Sequence, residues 1–178
     1  MRSVLVATMC LLGALVVCAQ DSESDMSEMC ANDHPAVACP KEGKEDWFKL
    51  GEGRCVKAFF AEPYLNYNDS EAACVGLGGH LVSIHNKSEL HDVDCTMYRL
   101  TPGRPPYWIG LFLYFHYEDL LVYEWTDATQ LDFNFWAYGQ PNFWNDKEEC
   151  VETNLYDWGR WNDLNCMYGR GHVCAVTI

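Results

Sequence analysis

The pattern of apolar and polar positions changes character several times along the chain. Residues 4–17 form an almost wholly apolar run behind Arg2. Residues 20–38 carry Asp21, Ser22, Glu23, Ser24 and Asp25 with few apolar anchors. The first run reads as a secretory signal segment cleaved after Ala19, where Val17-Cys18-Ala19 places small residues at the cleavage position. It falls short of the roughly 20 apolar residues that span a bilayer, so no membrane insertion is expected. The second stretch, residues 20–38, reads as a flexible lead-in, with order starting near Cys39.

Between residues 47 and 60, aromatic and β-branched residues alternate around Gly51 and Gly53, which predicts a hairpin whose base Cys39 could staple to Cys55. Asn68-Asp69-Ser70-Glu71 ahead of Ala72, Ala73 and Cys74 predicts a capped helix ending at Gly76, Gly78 and Gly79. After a short apolar strand, Leu81-Val82-Ser83-Ile84, comes a second helix. It opens at Asn86-Lys87-Ser88-Glu89, carries Leu90, Val93, Met97 and Leu100 at near-helical spacing, and stops before Pro102, Pro105 and Pro106. Residues 107–113 and 121–125 suit central strands, as do 150–153 and 171–176. From residue 126 to 150 no period survives: Asp127, Asp132, Asn134, Gly139, Pro141, Asn142, Asn145 and Asp146 alternate with scattered aromatics. Ordered loops longer than about 15 residues in a compact domain are usually functional.

Charge and cysteines narrow the class. Without residues 1–19 the chain keeps 159 residues, suited to one domain over residues 39–178, with 11 basic against 26 acidic side chains and a net charge of −15. Nucleic acid and anionic membrane are therefore not expected partners. Eight cysteines remain: Cys30, Cys39, Cys55, Cys74, Cys95, Cys150, Cys166 and Cys174. An even number in a secreted chain indicates disulfides, and the lack of any Cys-x-x-Cys pair argues against zinc or redox chemistry. Counting alone does not choose the pairing.

Oxygen-bearing side chains gather in and after the long loop: Gln140, Asn142, Glu148, then Asn162 and Asp163. Calcium takes about six to eight oxygen ligands of these types, and the spacing is not that of an EF-hand. On composition alone, polar residues serving only the loop surface are the commoner explanation. Trp108-Ile109-Gly110-Leu111, Gln140-Pro141-Asn142 and Trp161-Asn162-Asp163, taken together over residues 39–178, resemble the C-type lectin domain family. The resemblance implies an α+β, C-type lectin-like fold with two helices, small antiparallel sheets and a long disulfide-bordered ligand loop.

That resemblance also implies the pairs Cys74–Cys174, Cys150–Cys166 and Cys39–Cys55. Cys30 and Cys95 remain, either paired with each other or with Cys30 linking two chains. It implies one calcium ion held by Gln140, Asn142, Glu148, Asn162 and Asp163, with a cis bond before Pro141 aiming the flanking side chains at the metal. Sugar hydroxyls would complete the shell against Gln140, Asn142, Glu148 and Asn162. The family's mannose-type tripeptide is Glu-Pro-Asn and its galactose-type is Gln-Pro-Asp, whereas Gln140-Pro141-Asn142 has amides at both places and lacks one negative charge. Trp144 stands where galactose-binding relatives place a stacking ring, so terminal galactose or N-acetylgalactosamine is the expected glycan. Packing on Phe143 or Trp136 is the alternative role for Trp144, and Trp136 itself is expected in the core. The alternative function is a calcium-independent surface-interaction protein binding ice, mineral or protein.

The remaining candidates carry less. His80, His85 and His91 are not spaced as a metal-binding helix pair, and Ser83 has no Gly-x-Ser-x-Gly setting, so no enzyme is expected. Asn68 and Asn86 begin glycosylation sequons, with a helix-capping role as the alternative at Asn68.

Overall fold

The computed structural model describes residues 14–117 and 120–178, with side chains from residue 23 onward except in that gap. The expected signal segment lies largely outside the described residues. Helix α1 runs Ala14–Asn32, followed by strands β1 Phe48–Leu50 and β2 Arg54–Phe59, helix α2 Tyr67–Gly76 and strand β3 His80–Leu81. Helix α3 Lys87–Leu100, strands β4 Tyr107–Tyr117 and β5 Leu120–Trp125, and after the long loop β6 Cys150–Thr153, β7 Asn162–Leu164 and β8 Gly171–Thr177 complete the chain. Among the described residues, no helix is long and apolar enough to cross a membrane.

The sequence predicts small antiparallel sheets; the strands instead join in one mixed sheet ordered β1-β2-β8-β4-β6-β7, with β3 on β8 and β5 on β4. The join is β4. Its first residues run parallel to β8, Tyr107 opposite Gly171 and Trp108 opposite His172, while they also face β6 through Thr153 and Glu152. A strand covered on both faces reads as a continuous apolar run, and in the first half of β4 Tyr107, Trp108, Ile109 and Leu111 are fully buried. Gly110 is required by contact, because a Cβ there would stand 2.5 Å from the Leu81 carbonyl oxygen. Its amide donates instead to Val82 O at 2.9 Å. Val82, Ile84, Leu90, Val93 and Met97 pack on this strand with Trp125, Val151 and Trp161.

Helix α3 starts where the sequence places it: Asn86 caps it, its side chain accepting from Glu89 N at 2.9 Å. Helix α2 starts earlier than expected. Its cap is Asn66, in extended backbone and accepting from Asp69 N, which puts Asn68 within the first turn. The larger difference is α1. The stretch expected to be a flexible lead-in is helical to Asn32, because Met26 and Cys30, one turn apart, bury against Cys95 of α3. The Arg99 guanidinium donates to the carbonyls of Cys30 and His34, which satisfies orphan acceptors at the helix end.

Four disulfides tie elements together: Cys39–Cys55, Cys74–Cys174, Cys150–Cys166 and Cys30–Cys95. The last uses both leftover cysteines within one chain, so Cys30 has no thiol to offer a second chain. It closes a 65-residue separation, a constraint that contributes about 4 kcal/mol in the chain-entropy view. Replacing both Cys30 and Cys95 by serine is expected to lower the denaturant midpoint and to expose α1 to limited proteolysis before the rest of the domain.

His172 on β8 is buried and stacks on Phe59 at 5.0 Å. Burial depresses its pKa from 6.5 to about 4. Between these values the unfolded chain binds a proton that the folded chain refuses, so the stability contributed by neutral His172 is lost as pH falls. His172→Gln is therefore expected to flatten the decline in stability between pH 6.5 and 4, measured by urea unfolding at each pH.

Candidate functional site

The long loop is held by β7 and the residue before it. Trp161 is fully buried and its ring meets Trp125 and Trp136 edge-on. Its backbone grips the loop on both sides: Trp161 N donates to Phe135 O at 3.0 Å, and Ala137 N donates to Trp161 O at 2.8 Å. Trp136, half-buried between Tyr123 and Trp161, is a core ring. The chain then turns through a cis bond between Gln140 and Pro141.

Asp163, two residues after Trp161, fixes the next segment. Its side chain is fully buried. The carboxylate accepts from Asn142 N at 3.0 and 3.1 Å and from Phe143 N at 2.6 Å, with Tyr123 OH at 3.4 Å. Burial beside Asp163, with Glu148 nearby, raises the Tyr123 phenol, so Tyr123 stays a neutral donor. Residues Trp144–Asp146 form a short 3-10 turn, and Trp144 N donates to Glu148 Oε2 at 3.1 Å. Desolvation raises the Glu148 pKa, the Trp144 amide opposes it, and the carboxylates of Asp163 and Glu152 raise it further. The loop and β7 thus concentrate negative charge.

Asn162 faces Glu152 across the β6–β7 pair. Its Nδ2 donates to Glu152 Oε1 at 2.9 Å, and Arg170 Nε donates to Glu152 Oε2 at 2.5 Å. The amide nitrogen is spent on this contact, and the Asn162 oxygen is the atom a cation would use. Gln140 Oε1 is buried with no hydrogen-bond partner, a costly state for an oxygen that a metal or water would relieve. The donor set, two amide oxygens near clustered carboxylates with one buried and unpartnered, suits a hard, oxygen-seeking cation.

Gln140, Asn142, Glu148, Asn162 and Asp163 are therefore linked through one loop-and-strand unit. Trp144 lies on its outside, 66% exposed, and Phe143 packs on His116 at 4.5 Å. Sequence reasoning missed Glu152, Tyr123 and Arg170. The available signal was Glu152 itself, a charge in a strand whose four residues are all buried. The sequon asparagines Asn68 and Asn86 are exposed, although Asn86 uses its side-chain oxygen as a cap.

The histidines go elsewhere: His80 lies 2.6 Å from Glu71, and His85 lies 2.9 Å from Asp132 and 3.2 Å from Ser83 Oγ. The last contacts imitate a Ser-His-Asp triad. Ser83, however, is fully buried, donates to Asp127 and accepts from Arg54 Nη1 at 2.6 Å, so its hydroxyl is neither reachable nor free.

Residues 64–176 match the family model for the lectin C-type domain. This chain belongs to the C-type lectin domain family. Among its relatives, ladderlectin of Oncorhynchus mykiss is 34% identical over 67% of this chain, a match that spans 60% of the ladderlectin length. The C-type lectin galactose-binding isoform of Pseudechis porphyriacus is 32% identical over 78% of this chain and 84% of its own. The lectin CEL-I from Cucumaria echinata superposes with a TM-score of 0.66 at 24% identity over 76% of this chain and 97% of its own, a likeness of fold. Herring type II antifreeze protein superposes with a TM-score of 0.61 at 27% identity over 79% and 99%. The lectin fold is thus shared with proteins named for different ligands.

Glu152 and Arg170 form a mostly buried ion pair that orients Asn162. Arg170→Met is expected to leave the carboxylate unpaired and to cost about 3 to 5 kcal/mol in chemical denaturation. Replacing Glu152 and Arg170 together by glutamine and methionine should recover much of that loss.

Proposed function

We propose that this chain is a secreted lectin that binds carbohydrate through one calcium ion, with galactose-type sugars preferred over mannose-type. The observation that carries the calcium reading is Gln140 Oε1, buried and without a partner on the loop that Asp163 fastens to β7. Gln140, Asn142, Glu148, Asn162 and Asp163 would hold the ion. Glu148 and Asp163 supply two carboxylates, enough to balance a divalent charge. With amides at both ends of Gln140-Pro141-Asn142, affinity is expected near about 10⁻⁴ to 10⁻³ M, the weak extracellular range. When bound, calcium offers open coordination positions to two neighbouring sugar hydroxyls.

The residues around it do the selecting. Asn142 is exposed on the loop, and its backbone is held by Asp163, so its side chain is presented at fixed height. Trp144 presents its ring two residues farther on, suited to stack on the apolar face of galactose or N-acetylgalactosamine. The galactose-binding relative supports this choice. Secretion is supported by the apolar N-terminal run and by four disulfides, which persist in oxidising compartments. Asn68 and Asn86 are proposed glycosylation sites on the same ground.

A second reading, calcium-independent binding of a surface such as ice, mineral or protein, is favoured by one feature. Phe115, Tyr117 and Leu120 are exposed on the β4–β5 hairpin, and an antifreeze protein shares the fold.

Calorimetry separates the two. Saturable calcium binding that is lost in Glu148→Gln and Asp163→Asn supports the lectin reading; absence of binding at millimolar calcium overturns it in favour of the second. Trp144→Ala is expected to reduce galactose binding about tenfold, the scale of an aromatic contact, and to leave calcium binding intact. Tighter competition by mannose than by galactose on immobilised glycan would reverse the sugar assignment.

A further inference from the structure

Apart from the proposed lectin site, α1, α3, Phe135 of the long loop and the turn after β6 line an open groove of about 350 Å³. Asp94 of α3 lines it, 2% exposed, and its Oδ1 has no hydrogen-bond partner. The carboxyl is wedged against Gly159, where a Cβ would stand 2.7 Å from Oδ2 and where φ is +72°. Only glycine meets both demands.

The charged groups around Asp94 are Asp25 from α1, Asp157 from the turn, and Lys87 and His91 from its own helix. Lys87 is exposed and forms no ion pair among the described residues. Asp25 and Asp157 therefore outweigh Lys87, since burial lowers the His91 pKa. Burial first, and the Asp157 charge second, push the Asp94 carboxyl well above the usual carboxylate range. Trp158 and Met26 add an aromatic and a thioether wall.

A metal ion is a poor match. Among the described residues, the histidine, cysteine and carboxylate donors that converge closely enough to hold one on their own are those of Cys74, His172 and Cys174, far from Asp94, and the two sulfurs are bonded to each other. An organic cation suits the groove better. Its N–H groups can satisfy the unused acceptor of Asp94, its charge is attracted by aromatic faces, and its alkyl part fits the apolar wall. We propose that this groove binds a small alkylammonium ion, with N–H donated to the Asp94 carboxylate and the alkyl chain against Trp158 and Met26. Binding favours the carboxylate over the carboxylic acid, so affinity rises with pH.

The test is calorimetry of the disulfide-intact chain with n-butylammonium chloride at pH 5 and at pH 8. Saturable binding, tighter at the higher pH, is expected. Asp94→Asn should weaken it at least about tenfold, the scale of a charge-assisted hydrogen bond, with an unchanged calcium response. Tetramethylammonium, which has no N–H, should bind at least about tenfold more weakly for the same reason. No saturable binding at tens of millimolar overturns the proposal, as do equal binding by Asp94→Asn, equal binding of tetramethylammonium, or a calcium-binding event that Asp94→Asn removes. Should Asp94→Asn fail to fold, Trp158→Leu and Asp25→Asn carry the test: both must weaken n-butylammonium binding, and unchanged binding in both overturns it.

Discussion

A loop without repeating structure has no ladder of its own to fix its shape, so its backbone amides need partners from elsewhere. Here the buried carboxylate of Asp163 accepts the amides of Asn142 and Phe143 and meets the hydroxyl of Tyr123. Everything else at the site inherits position from that contact. Asn142 carries one of the anchored amides and Trp144 follows the other, Glu148 answers the Trp144 amide, and Asn162, adjacent to Asp163, is turned by Glu152. A carboxylate is suited to this work because charge-assisted bonds to N–H are stronger than neutral ones and one group accepts several at once.

The frame behind the loop relies on covalent and apolar ties together. Cys150–Cys166 closes the β6–β7 unit from which Asp163 and Asn162 project, and Cys74–Cys174 joins α2 to the sheet beside β4. Trp108, Trp125 and Trp161, all nearly inaccessible, fill the space between. Helix α1 is attached differently: a small cluster of Met26, Cys30 and Cys95 and one disulfide hold it. This attachment is what creates the groove lined by Asp94.

How far these features can be read from sequence depends on how local their causes are. Helix α3 is legible because its cap and its apolar spacing lie in one segment. For α2, several short polar residues compete for the cap, and extended backbone at Asn66, fixed by the fold, decides it. Helix α1 is illegible because its polar sequence gives no stripe; its buried residues gain meaning only beside Cys95, far along the chain. The five oxygen-bearing site residues stood out through their family motifs, and the structure links them through one loop. Their supports did not, since Glu152, Arg170 and Tyr123 meet Asn162 and Asp163 only through strand pairing and the turn of β5 toward β7. Mixed sheet topology escaped notice for the same reason: alternation marks a strand but does not name its neighbour.

The double grip of Trp161 on Phe135 and Ala137 has an evolutionary consequence. It places the loop's anchor before the residues that face solvent, and the Cys150–Cys166 bridge secures the other end. Between these two fixed points, exposed positions such as Tyr138 and Trp144 can change with little burden on the fold, because few of their side-chain atoms are packed. The exposed span can therefore vary by substitution while foldability is guarded elsewhere.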